Sequence, residues 1–324
     1  MKFSSLIKSY RIRNSLSQEE LAQLLSVVEL SNRVLDAGTI SRWERGVCAP
    51  PLKNQIRITR KLSMRVSSRS LHQTLSMAPR GVDKLKQRFN RASRLSDNFY
   101  NNAKPRLRCV LSEDLIDFFD DSRLIDFSLD AYNINFNCDE IQYKLELLSC
   151  SDDAYPFVLK FYNKSGVLAG HSVCIVSKTR DVIEFLKCVK GKVSACSMQH
   201  RLNGYTLINV SSYANNFCSY LFMCKHLFDC LDREFSVDWY IGNSFINEDW
   251  QIMKSLGASI VSKGDTISKG GVKVGGNRYR SLLYCADACA LLASSLANVD
   301  CHDITSYGFV DVCFDFSKSK AVSL

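Results

Sequence analysis

Residues Leu16–Gly46 read LSQEELAQLLSVVELSNRVLDAGTISRWERG and hold two helical words separated by a long connection. Leu21, Leu24 and Leu25 in the first word, and Ile40 and Trp43 in the second, recur at the spacing that puts each set on one helix face. Ser17, three residues before Glu20, has the form of a capping box: its hydroxyl can accept from the Glu20 N–H while the Glu20 carboxylate reaches back to the Ser17 N–H. Gly46 supplies a stop, because a residue without a Cβ enters the left-handed region at no steric cost. Thirteen residues, Ser26 to Gly38, lie between Leu25 and Thr39. A tight turn between two helices needs roughly three to four.

Outward from this stretch the chain stays helical. Leu6 and Tyr10 precede it, and Ile56 and Leu62 follow it at helical spacing. Pro51 is expected in the first turn of that last helix, where its missing N–H costs nothing. These words bound an all-α unit over residues 1–65. Residues 66–106 are rich in Ser, Arg and Asn and are interrupted at Pro79-Arg80-Gly81. They read as a linker carrying one or two basic helices.

Charge divides the same way. Residues 1–108 carry 22 Lys and Arg against 7 Asp and Glu, whereas the remaining 216 carry 20 against 26. All of the +9 net charge therefore sits in the first third, as expected where one part faces a polyanion and the other does not. The fourteen cysteines include no C-x-x-C pair. Cys218, Cys224 and Cys230 lie six apart, and Cys285 and Cys289 lie four apart among alanines, the habit of small apolar core residues in a reduced compartment. No metal centre is expected from so scattered a set. The opening MKFSSLIKSYRIRN lacks the apolar core of a signal peptide, and no apolar run approaches the roughly 20 residues that span a bilayer. The expectation is a cytoplasmic protein of a prokaryote with no membrane partner.

From residue 107 to 324 the texture is α/β. PFVLKFYNKSGVLAGHSVCIVSK reads as a hairpin turning at Asn163–Gly166, DVIEFLKCV as a short helix and YTLINVSS as a strand. A helix follows with apolar spacing at Phe217, Leu221, Cys224, Phe228 and Leu231. VDWYIG is a strand, NEDWQIMKSLG a helix closed by Gly257, and ASIVSKG a strand. Gly270–Gly276, GGVKVGG, falls outside a G-x-G-x-x-G context and reads as a hairpin or loop, not a phosphate cradle. The fold class is thus multi-domain: an all-α unit followed by an α/β unit with a mixed central sheet.

The N-terminal words, YRIRNSLSQEELAQLL and TISRWERGVCAP, resemble the phage-repressor (XRE-type) helix-turn-helix family over about residues 3–63. Arg11, Leu16, Ser17-Gln18, Glu20-Leu21-Ala22, Ile40-Ser41, Glu44, Gly46 and Pro50 carry the resemblance in order. It implies a structural ion pair between Arg11 and Glu44, and a phosphate contact from the backbone N–H of Gln18. It also implies a recognition helix over about Ala37–Arg45 lying in the major groove. Ala37, Gly38, Ser41 and Arg42 then face base edges, with Thr39 in the same interface and Arg45 on phosphate. Arg42 is the expected base reader, since a guanidinium can bond guanine O6 and N7 together. This chain departs from the family in its extended connection, whose apolar residues suggest an extra packed helical turn. Asn32 and Arg33 within it, together with DNA shape, are expected to share in specificity. Double-stranded DNA is the implied partner and a homodimer the implied state.

The later words VLAGHSVCIV, YTLINVSSYANNFCSYLFMCKHLFDCL and WYIGNSFINEDWQIMKSLGASIV resemble the GNAT-type N-acetyltransferases over about residues 155–262. Members of that family seat the acetyl-CoA pyrophosphate on a helix N-terminus preceded by a glycine-bearing loop. Here Asn215 stands in place of the basic or amide residue, and Cys218 and Tyr220 in place of the glycines, so bulk occupies the phosphate's approach. No resident cofactor is expected, and acetyl-CoA in the usual mode fits poorly. His171, His226, Tyr240 and Glu248 are available as acids or bases but read as packed or surface residues. The function expected is a DNA-binding transcription regulator with a catalytically degenerate acetyltransferase-like domain that dimerises or takes a small-molecule or protein effector. The alternatives are an active N-acetyltransferase fused to a DNA-binding domain, and an antitoxin-type interaction protein.

Overall fold

The structure is a computed structural model that describes residues 2–26, 35–64, 66–71, 84–85, 87–89, 154–162, 166, 168–187, 204–214, 217–233 and 237–294, with the backbone of 108–112 and 311–314. Four helices open the chain: α1 (Phe3–Arg13), α2 (Gln18–Ser26), α3 (Ala37–Glu44) and α4 (Leu52–Lys61). Each begins and ends for local reasons. Glu20 N–H donates to Ser17 Oγ at 3.1 Å and Ser17 N–H to the Glu20 carboxylate at 2.6 Å, completing the capping box of α2. Asp36 caps α3, accepting from Thr39 N–H at 2.6 Å. Gly46, at φ +70°, lets the chain leave α3. Pro51 stands immediately before α4 as its cap, one place outside the first turn expected of it; its φ of −51° and extended ψ of 147° deliver the chain to the helix. Ten residues, 27–36, join α2 to α3. Of the residues expected to form an extra helical turn here, Val27, Val28, Leu30 and Val34 lie outside the described residues, and Leu35 packs against the core of the helices.

The inner faces of these helices make one core: Phe3, Ile7, Leu21, Ala22, Leu25, Ile40, Trp43, Ile58 and Leu62. The Phe3 and Trp43 rings meet edge to face at 5.9 Å. Ala22, 2 % exposed, is small where α2 crosses its neighbours.

The rest builds on an eight-stranded mixed sheet: β1 (Arg108–Ser112), β2 (Tyr155–Tyr162), β3 (Leu168–Lys178), β4 (Tyr205–Ala214), β5 (Val237–Ser244), β6 (Ser259–Lys263), β9 (Leu282–Asp287) and β10 (Asp311–Phe314), in the order β10-β1-β2-β3-β4-β5-β9-β6. β7 (Val272–Val274) and β8 (Asn277–Tyr279) form a separate hairpin. The sheet is antiparallel except at β1/β10 and β4/β5. Helices α6 (Thr179–Leu186), α7 (Phe217–Arg233), α8 (Asn247–Ser255) and α9 (Ala288–Leu292) complete it, with the single turn α5 (Ser68–Leu71) between the two parts. Strand alternation sorts side chains to two faces. Leu207, Tyr240, Tyr284 and Ala286 pack with α7, α8 and α9, while Ile208, Val210, Trp239, Ile241 and Cys285 pack with Val182, Phe185 and Leu186 of α6.

Helix α4 belongs to both bodies. Ile58 completes the N-terminal core, whereas Ile56 packs in the core of the sheet with Leu71 and Leu85. Polar contacts reinforce this seat. Arg57 is ion-paired to Asp287, with Lys53 3.5 Å from the same carboxylate. The Arg60 guanidinium donates to the carbonyls of Val237 at 2.8 Å and Leu231 at 2.6 Å. Ser67 Oγ and Ser68 N–H both donate to Asp232. The described parts of the interval read as a linker are thus partly built in: Leu71 and Leu85 are 2 % and 0 % exposed because they fill the layer beneath α4.

Candidate nucleic-acid interface

Helix α3 presents a cationic outer face over a rigid inner one. Its inner side is fixed by Ile40 and Trp43 and by Glu44, whose side chain is 5 % exposed. Arg11 Nε lies 2.6 Å from Glu44 Oε1, and Gln18 Nε2 donates to Glu44 Oε2 at 2.8 Å, so one carboxylate ties α1, α2 and α3 together. Burial works to raise the Glu44 pKa, but the hydrogen bonds from Arg11 and Gln18 and the charges of Arg11 and Lys8 outweigh it and hold it below its ordinary value. Arg11 also donates to the Leu16 carbonyl at 3.1 Å, closing the α1–α2 corner.

On the outer side Gly38, Arg42 and Arg45 are exposed and Ala37, Thr39 and Ser41 half-buried. Arg42 Nη2 rests on Thr39 Oγ1 at 3.1 Å and Arg45 Nε on the Ser41 carbonyl at 3.4 Å. Both guanidiniums therefore lie along their own helix with donors left over. Gly38 does not serve the backbone: a Cβ there would meet only Asp36 Oδ1 at 3.6 Å, an ordinary contact. Of the residues expected to reach DNA, Gln18, Ala37, Gly38, Thr39, Ser41, Arg42 and Arg45 come together around α3; Asn32 and Arg33 lie outside the described residues.

A second polar cluster sits in the sheet. Pairing between the parallel strands β4 and β5 ends at Ile208↔Ile241, yet β4 runs on to Ala214 and β5 to Ser244. The register of β4 on β3 shifts at the same place, where Val173 faces Ser211 and Cys174 faces Asn209, leaving Val210 as an extra residue. The strands part there. Asn209 Nδ2 donates to Tyr240 Oη at 3.3 Å, and the Asn209 Oδ1 atom is buried with no hydrogen-bond partner among the described residues. The hydroxyls of Tyr240 and Tyr284 occupy the space where a Gly242 Cβ would stand, each at 2.7 Å, so only glycine fits. Tyr220 Oη donates to Asp249 Oδ1 at 3.1 Å. Burial pushes the Asp249 carboxyl up to about 6, against the pull of hydrogen bonds from Ser244 and Tyr220.

The acid and base candidates expected from the sequence are packed or paired. His171 is fully buried with Nε2 2.8 Å from Ser211 Oγ, and burial drives it down to about 3, aided by Lys160. His226 packs edge-on to Phe157 at 5.1 Å. Glu248 pairs with Arg88 at 3.2 Å. Burial raises the Tyr240 phenol far above its ordinary value. The thiols of Cys174 and Cys224 are pushed up to about 12, which keeps them protonated and unreactive. At the start of α7, Phe89 packs on Phe217 at 6.0 Å and on Tyr220 at 5.6 Å. Aromatic rings therefore fill the space beside this helix's first turn. Asn215 and the side chain of Cys218 lie outside the described residues.

Among the described residues no group of three or more potential metal ligands occurs, and no helix is long and apolar enough to cross a membrane. No family model and no curated protein matches the chain. A crystal structure provisionally described as that of a phosphinothricin N-acetyltransferase is similar in part: 9 % identical, it covers 56 % of this chain and 98 % of its own, with a TM-score of 0.30.

Proposed function

We propose that the protein is a sequence-specific DNA-binding transcription regulator. Its first four helices act as an XRE-type helix-turn-helix domain with an extended connection, and its α/β part is a GNAT-like fold serving as effector or dimerisation domain. The observation that carries this reading is α3. A helix held from behind by the Arg11–Glu44–Gln18 network presents Arg42 and Arg45, neither in an ion pair among the described residues, beside an unobstructed Gly38. Such a face suits the major groove, where a small residue permits approach and a guanidinium reads guanine. In this reading Gln18 offers its backbone N–H to a phosphate, since its side chain is committed to Glu44.

Support for an effector role in place of catalysis comes from α7. A pyrophosphate seated on a helix N-terminus needs open backbone N–H groups, and here Phe89, Phe217 and Tyr220 crowd that turn. One observation favours the alternative of an active acetyltransferase. Pairing between β4 and β5 ends at Ile208↔Ile241, one residue before Asn209, and the divergence of the two strands beyond it is room that an acyl carrier could use. Titration calorimetry with acetyl-CoA separates the two: micromolar binding supports the enzyme, and no heat supports the effector domain.

The regulator reading is tested by selecting bound sequences from a random duplex pool. A recovered consensus with two half-sites, and a dimer on it in sedimentation, is the expected result. Recovery of no enriched sequence refutes it.

A further inference from the structure

The β7–β8 hairpin and its flanks, residues 263–280, hold Lys263, Lys269, Lys273, Arg278 and Arg280 against a single acid, Asp265. All five cations are exposed, and none has a carboxylate partner among the described residues. They stand out because residues 109–324 as a whole carry more acids than bases. A solvated face would mix the two signs.

The segment is also stiff. Thr266 bridges to Tyr279, Ile267 N–H donates to the Arg278 carbonyl at 3.0 Å, and Arg280 N–H donates to the Asp265 carbonyl at 2.8 Å. Val272 is fully buried against the core beneath α8, and Lys273 N–H donates to Asn247 Oδ1 at 3.1 Å. Lys263 lies over the Tyr279 ring at 5.2 Å. A Cβ on Gly271 would stand 2.1 Å from the Tyr279 carbonyl oxygen, so the approach of the two strands depends on that glycine.

The register then sets a cost. Lys273 and Arg278 are direct cross-strand partners. Like charges placed opposite one another destabilise a hairpin, and no acid relieves them among the described residues. At the tip, Gly275 and Gly276 have nothing within 4 Å of where a Cβ would be, so the turn is bare backbone open to solvent. A rigid strip of cations that repel one another and end in a smooth tip suits a partner that brings a row of negative charges and requires no apolar pocket.

We infer that this hairpin is a second nucleic-acid contact, a clamp on the phosphate backbone of duplex DNA that adds affinity without reading sequence. The inference rests on the DNA-binding function proposed above and extends it to a part of the chain far from α3 in sequence. Phosphate contacts of this kind fix position, and they make binding depend on salt through counterion release.

The test is the salt dependence of binding to a random-sequence duplex, followed by fluorescence anisotropy. It compares the full chain, a K269Q/K273Q/R280Q variant, and an R180Q/K187Q control on α6. Unchanged thermal unfolding establishes that the variants fold. The slope of log K against log salt should fall by about 2–3 units in the hairpin variant, at roughly 0.9 per phosphate contact, with at least a tenfold loss of affinity at moderate salt. It should not move in the control. If the full chain binds duplex but the hairpin variant keeps its slope, the clamp is refuted and the regulator stands. If the full chain ignores duplex at low salt, the regulator reading itself fails. Loss of binding to anionic phosphatidylserine vesicles, with duplex binding intact, overturns the clamp in favour of a lipid surface.

Discussion

Asp287 is one of the residues through which the N-terminal helices hold the sheet, beside the Arg60 and Ile56 contacts, so Asp287→Ala should loosen the two parts from each other. Its Oδ1 accepts from Ala290 N–H at 3.1 Å and caps α9, while its Oδ2 meets Arg57 and, at 3.5 Å, Lys53 of α4. Loss of the cap costs about 1 kcal/mol. Removing one partner of a fully buried ion pair costs about 3–5 kcal/mol. The Arg57 and Asp287 side chains are 12 % and 13 % exposed, and Arg57 keeps other contacts, so a lower figure of about 1–3 kcal/mol applies to the pair. The sum is about 2–4 kcal/mol. Asp287→Asn separates the contributions, since asparagine caps as well as aspartate and removes only the charge; it should be milder by about 1 kcal/mol. Urea unfolding followed by fluorine NMR of fluorotryptophan-labelled protein is the assay. Trp43 reports the helical core and Trp239 and Trp250 report the two faces of the sheet. In the wild type the three resonances should unfold together, and in Asp287→Ala the Trp43 signal should separate from the others. A loss below about 0.5 kcal/mol with all three resonances still moving together would refute the coupling, as that is the range of an inert surface change.

Three further outcomes are expected. The Asp249 carboxyl, pushed up to about 6 by burial, keeps a proton in the folded protein that the unfolded chain releases near pH 4. Its contribution to stability is therefore greatest in acid and is lost as pH rises through 6. The melting temperature of Asp249→Asn relative to wild type should climb between pH 4 and 7, and a difference independent of pH would contradict this. Glu44→Ala strands Arg11 and Gln18 at the junction of three helices and should cost about 2 kcal/mol in urea unfolding; a neutral result would remove the junction's structural role. Gly38→Ala should leave stability unchanged or raise it by up to about 1 kcal/mol, because the methyl meets nothing closer than 3.6 Å. Duplex affinity should fall by contrast, and a variant both more stable and at least as tight on DNA would take Gly38 out of the interface.

Local devices were legible in the sequence because their partners lie within a few residues. Ser17 and Glu20 sit three apart and make the reciprocal bonds of α2, and Gly46 and Gly257 adopt the positive φ that stops α3 and α8. The β2–β3 hairpin and the order of strands and helices from it to β6 follow from alternation and helical spacing alone, whereas β9, which enters the sheet between β5 and β6, and α9 were not read from the sequence. What escaped is non-local. Arg57 and Arg60 counted toward the basic first third, yet they turn inward to partners 230 and 171 residues away, so the charge tally overstated what α4 offers to a polyanion. Averaging erred in the opposite sense over residues 109–324, where surrounding acids hid the cations of the hairpin. The parting of β4 and β5 was invisible for a similar reason. It depends on a register shift at Val210 and on two tyrosines closing over Gly242, which no periodicity encodes.

If α3 reads base edges through Arg42, Arg42→Ala should erode discrimination between DNA sequences and not affinity at large. Affinities of wild type and variant are compared on the selected duplex and on a scrambled duplex at one salt concentration. Loss of a bidentate guanine contact should weaken the specific complex by about 1–3 kcal/mol and leave the scrambled one nearly unchanged. An equal loss on both duplexes would make Arg42 a phosphate contact, and no loss on either would place the reading surface elsewhere.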